Sequence, residues 1–520
     1  MTLTLENIEI NQDFEQALDL IDKGESVFIT GRAGTGKSTL LQYFRVHTDK
    51  EIAVLAPTGI AAVNIGGITI HSLFGFGADI TVEKVKREFQ NSHRRELFEQ
   101  LDAIVIDEIS MVRADLMDCI DTFLRQNGPN PLEPFGGIQM IFFGDMYQLP
   151  PVVKSEEKEI FEQRYDSPYF FDSDSFRQSE FKMVELEKIY RQQDQDFIEI
   201  LNAVRNKEIT DQQLEQLNKQ VKPEFDPEHS EMYVHITPTN SKVDKINEER
   251  LAKLDTAKYT FQGDISGEFK QTALPTRENL ELKIDSQIML VNNDTKGRWV
   301  NGTIGTILDV NQKNDEEDEI VVKTEHGKEV TVTPYTWEMH ELEYDENKDE
   351  LTPKTKGKFT QYPIKLAWAV TIHKSQGKTF DKVVLDTDKG TFAHGQAYVA
   401  LSRATSLEGL VLKKPIKKKH IWSDWRVADF ISEYQYQQAE EDLSTEQKQK
   451  ILQQAVENEE KVKITYLKTS DKESTRTISP KEVGMLSYRG TEFLGVRCYC
   501  HMREAERNFK IRRIIELERV

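Results

Sequence analysis

A glycine-rich segment near the N-terminus restricts the first part of this chain to one group of α/β folds. The segment, Gly31-Arg-Ala-Gly-Thr-Gly36-Lys37-Ser38, follows the short apolar run 26–30 and precedes an apolar helical start. In such a P-loop the glycines let backbone N–H groups face phosphates, the lysine reaches the β- and γ-phosphates, and the serine hydroxyl binds Mg²⁺. The segment therefore predicts a nucleoside triphosphate site formed by Gly31, Gly34, Thr35, Gly36, Lys37, Ser38 and Thr39.

Two acidic residues follow an apolar strand pattern at 103–106. Asp107 is placed to bind Mg²⁺, and Glu108 to orient and activate an attacking water. Acids at strand ends are often only solvated, but together with a P-loop the pair indicates catalysis. We therefore expect the chain to hydrolyse its nucleotide, with Ser38 and Asp107 as the metal ligands.

Phosphoryl transfer also needs positive charge near the γ-phosphate. Arg191 and Arg403 are the two candidates, and both lie beyond the first α/β region. Each could instead be a surface residue of a helix. If a second α/β domain supplies these arginines to the first, nucleotide binding is coupled to domain closure.

The distribution of apolar runs predicts an α/β fold with several domains. Continuous apolar runs, such as 52–56 and 140–143, suit a parallel sheet that is covered on both faces. Later the pattern changes to short alternating strands with glycine turns, which indicates an inserted β barrel. We predict a first α/β domain at 1–175, a second at 176–264 and 356–430, the barrel at 265–355, a linker at 431–443 and a C-terminal domain at 444–520.

Charge and cysteine content exclude several classes of protein. The chain has 520 residues and a formal net charge of −21, which argues against a sequence-independent DNA coat. Binding depends on local fields, however, and residues 461–520 hold fourteen Lys/Arg against eight Asp/Glu. Three scattered cysteines cannot form a disulfide framework, and no apolar run is long enough to span a membrane. We therefore expect a cytoplasmic protein, most readily a bacterial one.

The order of the motifs resembles superfamily 1B helicases, and within them the petite-integration-frequency (PIF) family. The resemblance covers about residues 30–412. Besides the P-loop and the acidic pair, it is carried by Ala56-Pro-Thr-Gly59 with Thr69-Ile-His71-Ser, Pro134-Phe-Gly-Gly137, Gly144-Asp-Met-Tyr-Gln148-Leu-Pro-Pro151, Trp368-Ala-Val-Thr-Ile-His373-Lys374-Ser-Gln376-Gly377 and Gly395-Gln-Ala-Tyr-Val-Ala-Leu-Ser-Arg403.

The resemblance also implies roles for single residues. Gln148 would sense the γ-phosphate, Arg191 and Arg403 would be arginine fingers, and Gly377 would lie at the nucleotide. The residues implied to lie near DNA are Thr58, His71, His373 and Lys374, with Phe74 and Tyr147 as rings that stack on bases, although aromatic residues are as often core residues.

The fold implied by the resemblance is α/β, with two RecA-like P-loop NTPase domains and an inserted SH3-like β barrel. The implied activity is that of a 5′-to-3′ DNA helicase that uses ATP and Mg²⁺ and translocates as a monomer. Its partners would be single-stranded and tailed duplex DNA, with RNA–DNA hybrids or G-quadruplexes as further substrates and no membrane. Where the family often has an adenine-reading glutamine, this chain has Phe14, with Gln12 and Gln16 nearby; the adenine contact is therefore not assigned.

The C-terminal residues 461–520 resemble a WYL domain, a small β domain with a basic pocket for nucleic acid or another anionic ligand. Before them, Ser444 and Gln447 have the spacing of a helical capping box. The candidate pocket residues are Arg497, Tyr499, Arg503 and Arg507, which could converge or could be ordinary charged strand faces.

Two other functions stay open at the level of sequence. The chain could be a ligand-sensing regulator that uses its motor as a switch, although no helix-turn-helix precedes the WYL-like region. It could also be the motor subunit of a nuclease complex, although no carboxylate cluster with metal-binding spacing is evident.

Overall fold

The structure is a computed structural model that describes residues 10–520 except 78, 90–94, 154–156, 191–193, 229–230, 270, 295, 313–317, 346–349, 388–393, 469–471 and 489. The chain forms two compact units. One comprises Met1–Arg205 with Ile209–Trp422, and the other comprises Asn206–Glu208 with Ser423–Val520. Across the described ranges, no helix has both the length and the apolar composition that crossing a bilayer requires.

A six-stranded parallel sheet organises the first third of the chain. Its strands stand in the order β3-β2-β4-β5-β1-β6. They are β1 (Val27–Gly31), β2 (Ile52–Ala56), β3 (Ile68–Thr69), β4 (Ala103–Ile106), β5 (Gln139–Phe143) and β6 (Lys182–Leu186). The predicted apolar runs are therefore strands of one sheet.

Both faces of this sheet are covered, which explains why its strands are apolar throughout. Val27 and Ile29 belong to a buried cluster with Phe14 on one face. Phe28 points to the other face, where its ring centroid lies 5.6 Å from that of Phe170. The helices are α1 (Gln12–Asp22), α2 (Lys37–His47), α3 (Gly59–Ile65), α4 (Ile70–Phe74), α5 (Val82–Glu88), α6 (Arg95–Gln100), α7 (Ala114–Asn127), α8 (Lys158–Glu162) and α9 (Asp174–Arg177).

Strand β6 corrects the predicted boundary between the two α/β domains. Residues 176–264 were assigned to the second domain, but β6 pairs in parallel with β1, from Val27↔Lys182 to Gly31↔Leu186. The first sheet therefore extends to Leu186. A strand's apolar pattern indicates its burial but not which sheet it joins.

An antiparallel insertion follows strand β7 (Val234–Thr237). It runs from Lys258 to Leu366, wider than the predicted 265–355, because its first and last strands pair within it. Its sheets have the orders β10-β8, β14-β13-β12-β11-β17 and β15-β16-β9. The strands are β8 (Lys258–Gln262), β9 (Asp264–Gly267), β10 (Asn279–Lys283), β11 (Gln287–Leu290), β12 (Ile304–Asn311), β13 (Glu319–Thr324), β14 (Glu329–Val332), β15 (Tyr335–Asp345), β16 (Glu350–Gln361) and β17 (Ile364–Leu366). Its likeness to an SH3 barrel stays a prediction.

A second parallel sheet is completed after the insertion by β18 (Ala369–Thr371), β19 (Val383–Leu385) and β20 (Leu410–Leu412). The strand order is β18-β7-β19-β20, and every pair is parallel. The accompanying helices are α10 (Gln195–Arg205), α11 (Asp211–Asn218), α12 (Asn240–Ala252) and α13 (Gln396–Leu401). The chain thus has two α/β domains, each built on a parallel sheet, as predicted.

The C-terminal unit is an antiparallel sheet with two helices. The strands β21 (Val462–Lys468), β22 (Lys472–Tyr488), β23 (Thr491–Cys500), β24 (Ala505–Lys510) and β25 (Ile514–Arg519) have the order β24-β23-β22-β21-β25. Helices α14 (Trp425–Asp442) and α15 (Thr445–Glu457) precede them. The predicted capping box of Ser444 and Gln447 begins α15.

The predicted linker at 431–443 is wrong, because nearly all of these residues belong to α14. This helix packs on the C-terminal sheet. The Tyr436 hydroxyl donates to the Leu467 carbonyl at 3.2 Å, and Ser432 Oγ donates to the Lys468 carbonyl at 3.3 Å. The many polar residues of α14 obscure the apolar pattern of its buried positions, which are Val427, Ile431, Ser432, Tyr436 and Ala439.

Candidate functional site

The P-loop connects β1 to α2 at the carboxyl edge of the first sheet. Gly31 and Gly36 have φ angles of 148° and 90°, which only glycine adopts readily. A Cβ atom on Gly31 would lie 2.7 Å from the Leu186 carbonyl oxygen. Thr35 is fully buried and donates its hydroxyl to the Arg32 carbonyl at 3.0 Å. The loop is therefore fixed in shape at a helix N-terminus, where N–H groups bind phosphates.

Lys37 begins α2 beside the other predicted nucleotide residues, Gly34 and Thr39. Its Nζ donates to the carbonyl oxygens of Gly31 at 2.6 Å and Arg32 at 2.9 Å. Ser38 is exposed and lines the same cleft as Asp107. A hydroxyl and a carboxylate are hard oxygen donors, which are the ligands that Mg²⁺ prefers. This pair therefore fits the predicted metal.

The two acids follow β4, next to the P-loop. Burial raises the pKa of Glu108 to about 7, with the neighbouring Asp107 carboxylate adding to the shift. Glu108 also has a φ of 52°, an unusual backbone for a residue that is not glycine. Such backbones cluster at functional sites. Glu108 therefore has the environment of a general base.

Gln148 follows β5 and lies 6% exposed beside Asp145. Its Nε2 donates to Asp145 Oδ2 at 3.1 Å. Its Oε1 is buried and has no hydrogen-bond partner within the described part of the chain. A buried acceptor without a partner is costly, so this oxygen calls for a donor such as the attacking water. An amide oxygen cannot bind a phosphate oxygen, which only accepts.

Residues of the second α/β domain face Ser38 and the two acidic residues across a cleft of about 370 Å³. Gln376 Nε2 donates to Glu108 Oε2 at 3.0 Å. The backbone N–H of Ala33 in the P-loop donates to the Tyr398 hydroxyl at 3.0 Å. Gly377 lines the cleft too, and its contact with the nucleotide stays a prediction. Gln376 and Tyr398 both lie inside motifs, but the sequence predicts neither of these contacts.

The structure describes one of the two predicted arginine fingers, Arg403. Arg191 lies outside the described residues. Arg403 is fully buried, and its guanidinium donates to carbonyls of its own domain, those of Val399, Ser375 and Lys378. It therefore braces the turn that carries Gln376, and its action on a phosphate stays a prediction.

Three of the predicted DNA-contacting residues are exposed and line the cleft: Thr58, His373 and Lys374. His71 is half-buried on α4. Lys374 also lines a second cavity of about 480 Å³, which contains Lys365 and Lys378 as well. Burial and the nearby Lys374 lower the pKa of Lys365 to about 8. The motifs do not predict these two lysines, because Lys365 precedes and Lys378 follows the motif at 368–377.

The two predicted stacking rings are core residues, and those predictions are wrong. Phe74 is 1% exposed and stacks on Phe76, with 5.2 Å between ring centroids. Tyr147 is 2% exposed and lies under the buried Arg205 guanidinium, 4.0 Å from its ring centroid. Neither ring is open to stacking by a base, because both are buried among core side chains.

Phe14, at the position of the family's adenine-reading glutamine, is also a core residue. It is 1% exposed, and a Cβ atom on Gly36 would lie 3.0 Å from its ring. The nearby Asn11 side chain accepts from the Phe14 backbone N–H and donates to the Tyr190 hydroxyl. Phe14 thus supports the P-loop and offers no hydrogen bond to a base.

The four candidate residues of the C-terminal unit do not converge. Arg497 is exposed on the same face of β23 as Tyr499 and forms an ion pair with Glu482 at 2.8 Å. Arg507 stands opposite Cys498, which is on the other face, since directly paired residues share a face. Arg503 is exposed in the turn between β23 and β24. Of the two alternatives left open by the sequence, these positions fit ordinary charged strand faces.

Family comparisons agree with this geometry. A family described as PIF1-like helicase matches residues 8–215, a WYL domain matches 448–519, and a UvrD-like helicase C-terminal domain matches 366–411. The protein named ATP-dependent DNA helicase Pif1 from Bdellovibrio bacteriovorus is 34% identical over 421 residues, which cover 79% of this chain and 89% of that protein. The human protein named ATP-dependent DNA helicase PIF1 is 33% identical over 77% of this chain and 60% of that protein.

Solved structures give the same result. Bacteroides sp. Pif1 in complex with ADP-AlF4 superposes with a TM-score of 0.74 and 35% identity, over 82% of this chain and 97% of that one. Bacteroides Pif1 bound to single-stranded DNA superposes with a TM-score of 0.58 and 36% identity, over 82% of this chain and 96% of that one. The two parallel domains described above are thus RecA-like, and the chain belongs to the PIF1-like helicase family and carries a C-terminal WYL domain.

Proposed function

We propose that this chain is an ATP-dependent DNA helicase that moves 5′ to 3′ along single-stranded DNA and unwinds the duplex ahead of it. The observation that carries the proposal is the shared cleft. It brings the P-loop and the acidic pair of the first motor domain against the turn after β18 in the second. The names of the relatives support the activity, and the resemblance of the motifs supports the polarity.

The residues of the first domain would bind the nucleotide and activate the water that attacks it. P-loop N–H groups and Lys37 bind the phosphates. Ser38 and Asp107 would hold Mg²⁺, which neutralises charge on the β- and γ-phosphate oxygens. Glu108 takes the proton of the attacking water, and Gln148 Oε1, which has no hydrogen-bond partner among the described residues, accepts a hydrogen bond from that water.

The second domain would supply DNA contact and closure. His373 and Lys374 lie on the turn after β18 and face the cleft. Lys365 and Lys378 line the adjoining cavity, where burial lowers the pKa of both side chains and a bound DNA phosphate would favour their charged forms. Lysine ammonium groups at these positions can bind successive backbone phosphates without reading sequence. Tailed duplexes are the proposed substrates, and RNA–DNA hybrids and G-quadruplexes are structured substrates to be compared with them.

The proposal is tested by phosphate release from the purified full chain. We expect ATP hydrolysis that requires Mg²⁺ and that single-stranded oligonucleotide accelerates strongly. A rate that single-stranded DNA leaves unchanged would contradict a DNA motor and favour the ligand-sensing switch.

For the C-terminal unit we propose additional contacts to single-stranded DNA through exposed arginines. Replacing Arg497, Arg503 and Arg507 together with alanine should weaken binding of a tailed duplex. The slope of log K against log salt should also become shallower by about 0.7 for each lost contact. Titrations at several salt concentrations measure both quantities. Equal affinity and equal slope for the wild type and the variant would leave the unit with a regulatory role only.

A further inference from the structure

The side chain of Gln376 contacts the proposed catalytic base from the opposite motor domain. Its Nε2 lies 3.0 Å from Glu108 Oε2, although 268 positions separate the two residues in the chain. An ionised carboxylate can only accept hydrogen bonds, so the amide must present its NH₂ group to Glu108. One carboxylate oxygen is thereby fixed, and the other is left to receive a proton from water.

The backbone of Glu108 adopts a conformation that is unusual for a residue with a side chain. Its φ and ψ are 52° and 42°, the left-handed region, which an L-residue with a side chain occupies only when its surroundings require it. From that backbone the side chain projects into the cleft, where Gln376, His373 and Lys374 line the opposite wall. The hydrogen bond from Gln376 is one contact that holds it in this direction.

Three hydrogen bonds hold the turn that carries Gln376. Arg403 is fully buried, and one of its terminal nitrogens donates to the carbonyls of Ser375 at 3.0 Å and Lys378 at 2.8 Å. The Ser375 hydroxyl donates to the Ile372 carbonyl at 2.8 Å. The carbonyls on both sides of Gln376 are thus bonded to one guanidinium. A shift of this turn must move the Gln376 amide with it.

The same turn faces DNA in the proposed function. His373 and Lys374 immediately precede Ser375 and are exposed in the cleft. A nucleic acid strand bound to them would set the position of the turn, and through it the position of the Glu108 carboxylate.

We propose that Gln376 is a positioning residue that fixes the Glu108 carboxylate for hydrolysis and makes its position depend on DNA bound to His373 and Lys374. The inference rests on the proposed function and deepens it. Gln376 neither gives nor takes a proton. It acts only through the hydrogen bond to Glu108.

The test is Gln376→Met in the full chain, since methionine matches glutamine in length but cannot donate. With saturating single-stranded DNA, kcat for ATP hydrolysis should fall about 10- to 100-fold, the effect of losing one hydrogen bond to a charged group. The KM for ATP and the Kd for DNA should stay at the wild-type values. The matched control is Gln212→Met, at an exposed position of α11, which should behave as the wild type.

A double-mutant cycle shows whether Gln376 acts through Glu108. In a Glu108→Gln background, Gln376→Met should change the residual rate less than about twofold, because the group that it positions is gone. An undiminished effect in that background would overturn the inference, and so would a wild-type kcat for the single variant. A faster rate without DNA would overturn it too, since the contact would then restrain Glu108. If the wild type itself lacks DNA-stimulated hydrolysis, the proposed function fails instead.

Discussion

Replacing Lys37 with alanine should lower DNA-stimulated ATP hydrolysis about 10³-fold, the upper end of the range for removing one group that stabilises transition-state charge. The Lys37 ammonium is the cation that a P-loop places at the β- and γ-phosphates. Binding of single-stranded DNA should persist, because the DNA contacts lie on other residues. Phosphate release and DNA titration of the same preparation measure both effects.

The matched control for this variant is Lys23→Ala. Lys23 follows α1, and its side chain forms an exposed ion pair with Asp19, which contributes little to stability. We expect wild-type hydrolysis from it. Hydrolysis near the wild-type rate in Lys37→Ala would mean that the nucleotide is turned over at another site.

Replacing Glu108 with glutamine should leave an enzyme that binds ATP and DNA but hydrolyses about 10²–10⁴-fold more slowly. The amide keeps the shape of the side chain but cannot take a proton from water. ATP affinity is measured with a fluorescent nucleotide, and hydrolysis in single turnover. The exposed Glu96→Gln on α6 is the control.

Loss of ATP affinity in Glu108→Gln would assign Glu108 a structural or metal-binding role. The base would then have to be sought elsewhere in the cleft. Retained affinity with retained hydrolysis would exclude Glu108 from proton transfer altogether.

The sequence was sufficient for the nucleotide site because that site is local. The residues from Gly31 to Thr39 are consecutive, and Asp107 and Glu108 end a strand whose apolar run predicts a place in the same parallel sheet. Parallel strands meet the site at their carboxyl ends, so the pattern alone predicts that these groups are neighbours. The structure places Ser38 and both acidic residues around one cleft.

The sequence was insufficient where a contact depends on pairing between distant segments. The apolar pattern of β6 gives no information on whether it joins β1 or the second sheet. Gln376 and Glu108 meet only because two separate sheets face each other. For Phe74 and Tyr147 the error is of another kind. Their place in the motifs suggests contact with DNA bases, whereas both rings are buried in the core.

The linker error had a usable signal in the sequence. Val427, Ile431, Tyr436 and Ala439 recur at helical spacing, and all four are buried in α14. Glutamine and glutamate between them dominate the composition and obscure this face. Periodicity was a better guide than polarity.

Strand displacement on tailed duplexes tests the central claim, that ATP hydrolysis drives 5′-to-3′ movement along one DNA strand. Three duplexes of equal length and sequence carry a 5′ single-stranded tail, a 3′ tail or no tail. We predict ATP-dependent separation of the 5′-tailed duplex, and separation at the level without ATP for the other two. Preferred separation of the 3′-tailed duplex would contradict the polarity. ATP hydrolysis without separation of any duplex would contradict the helicase itself.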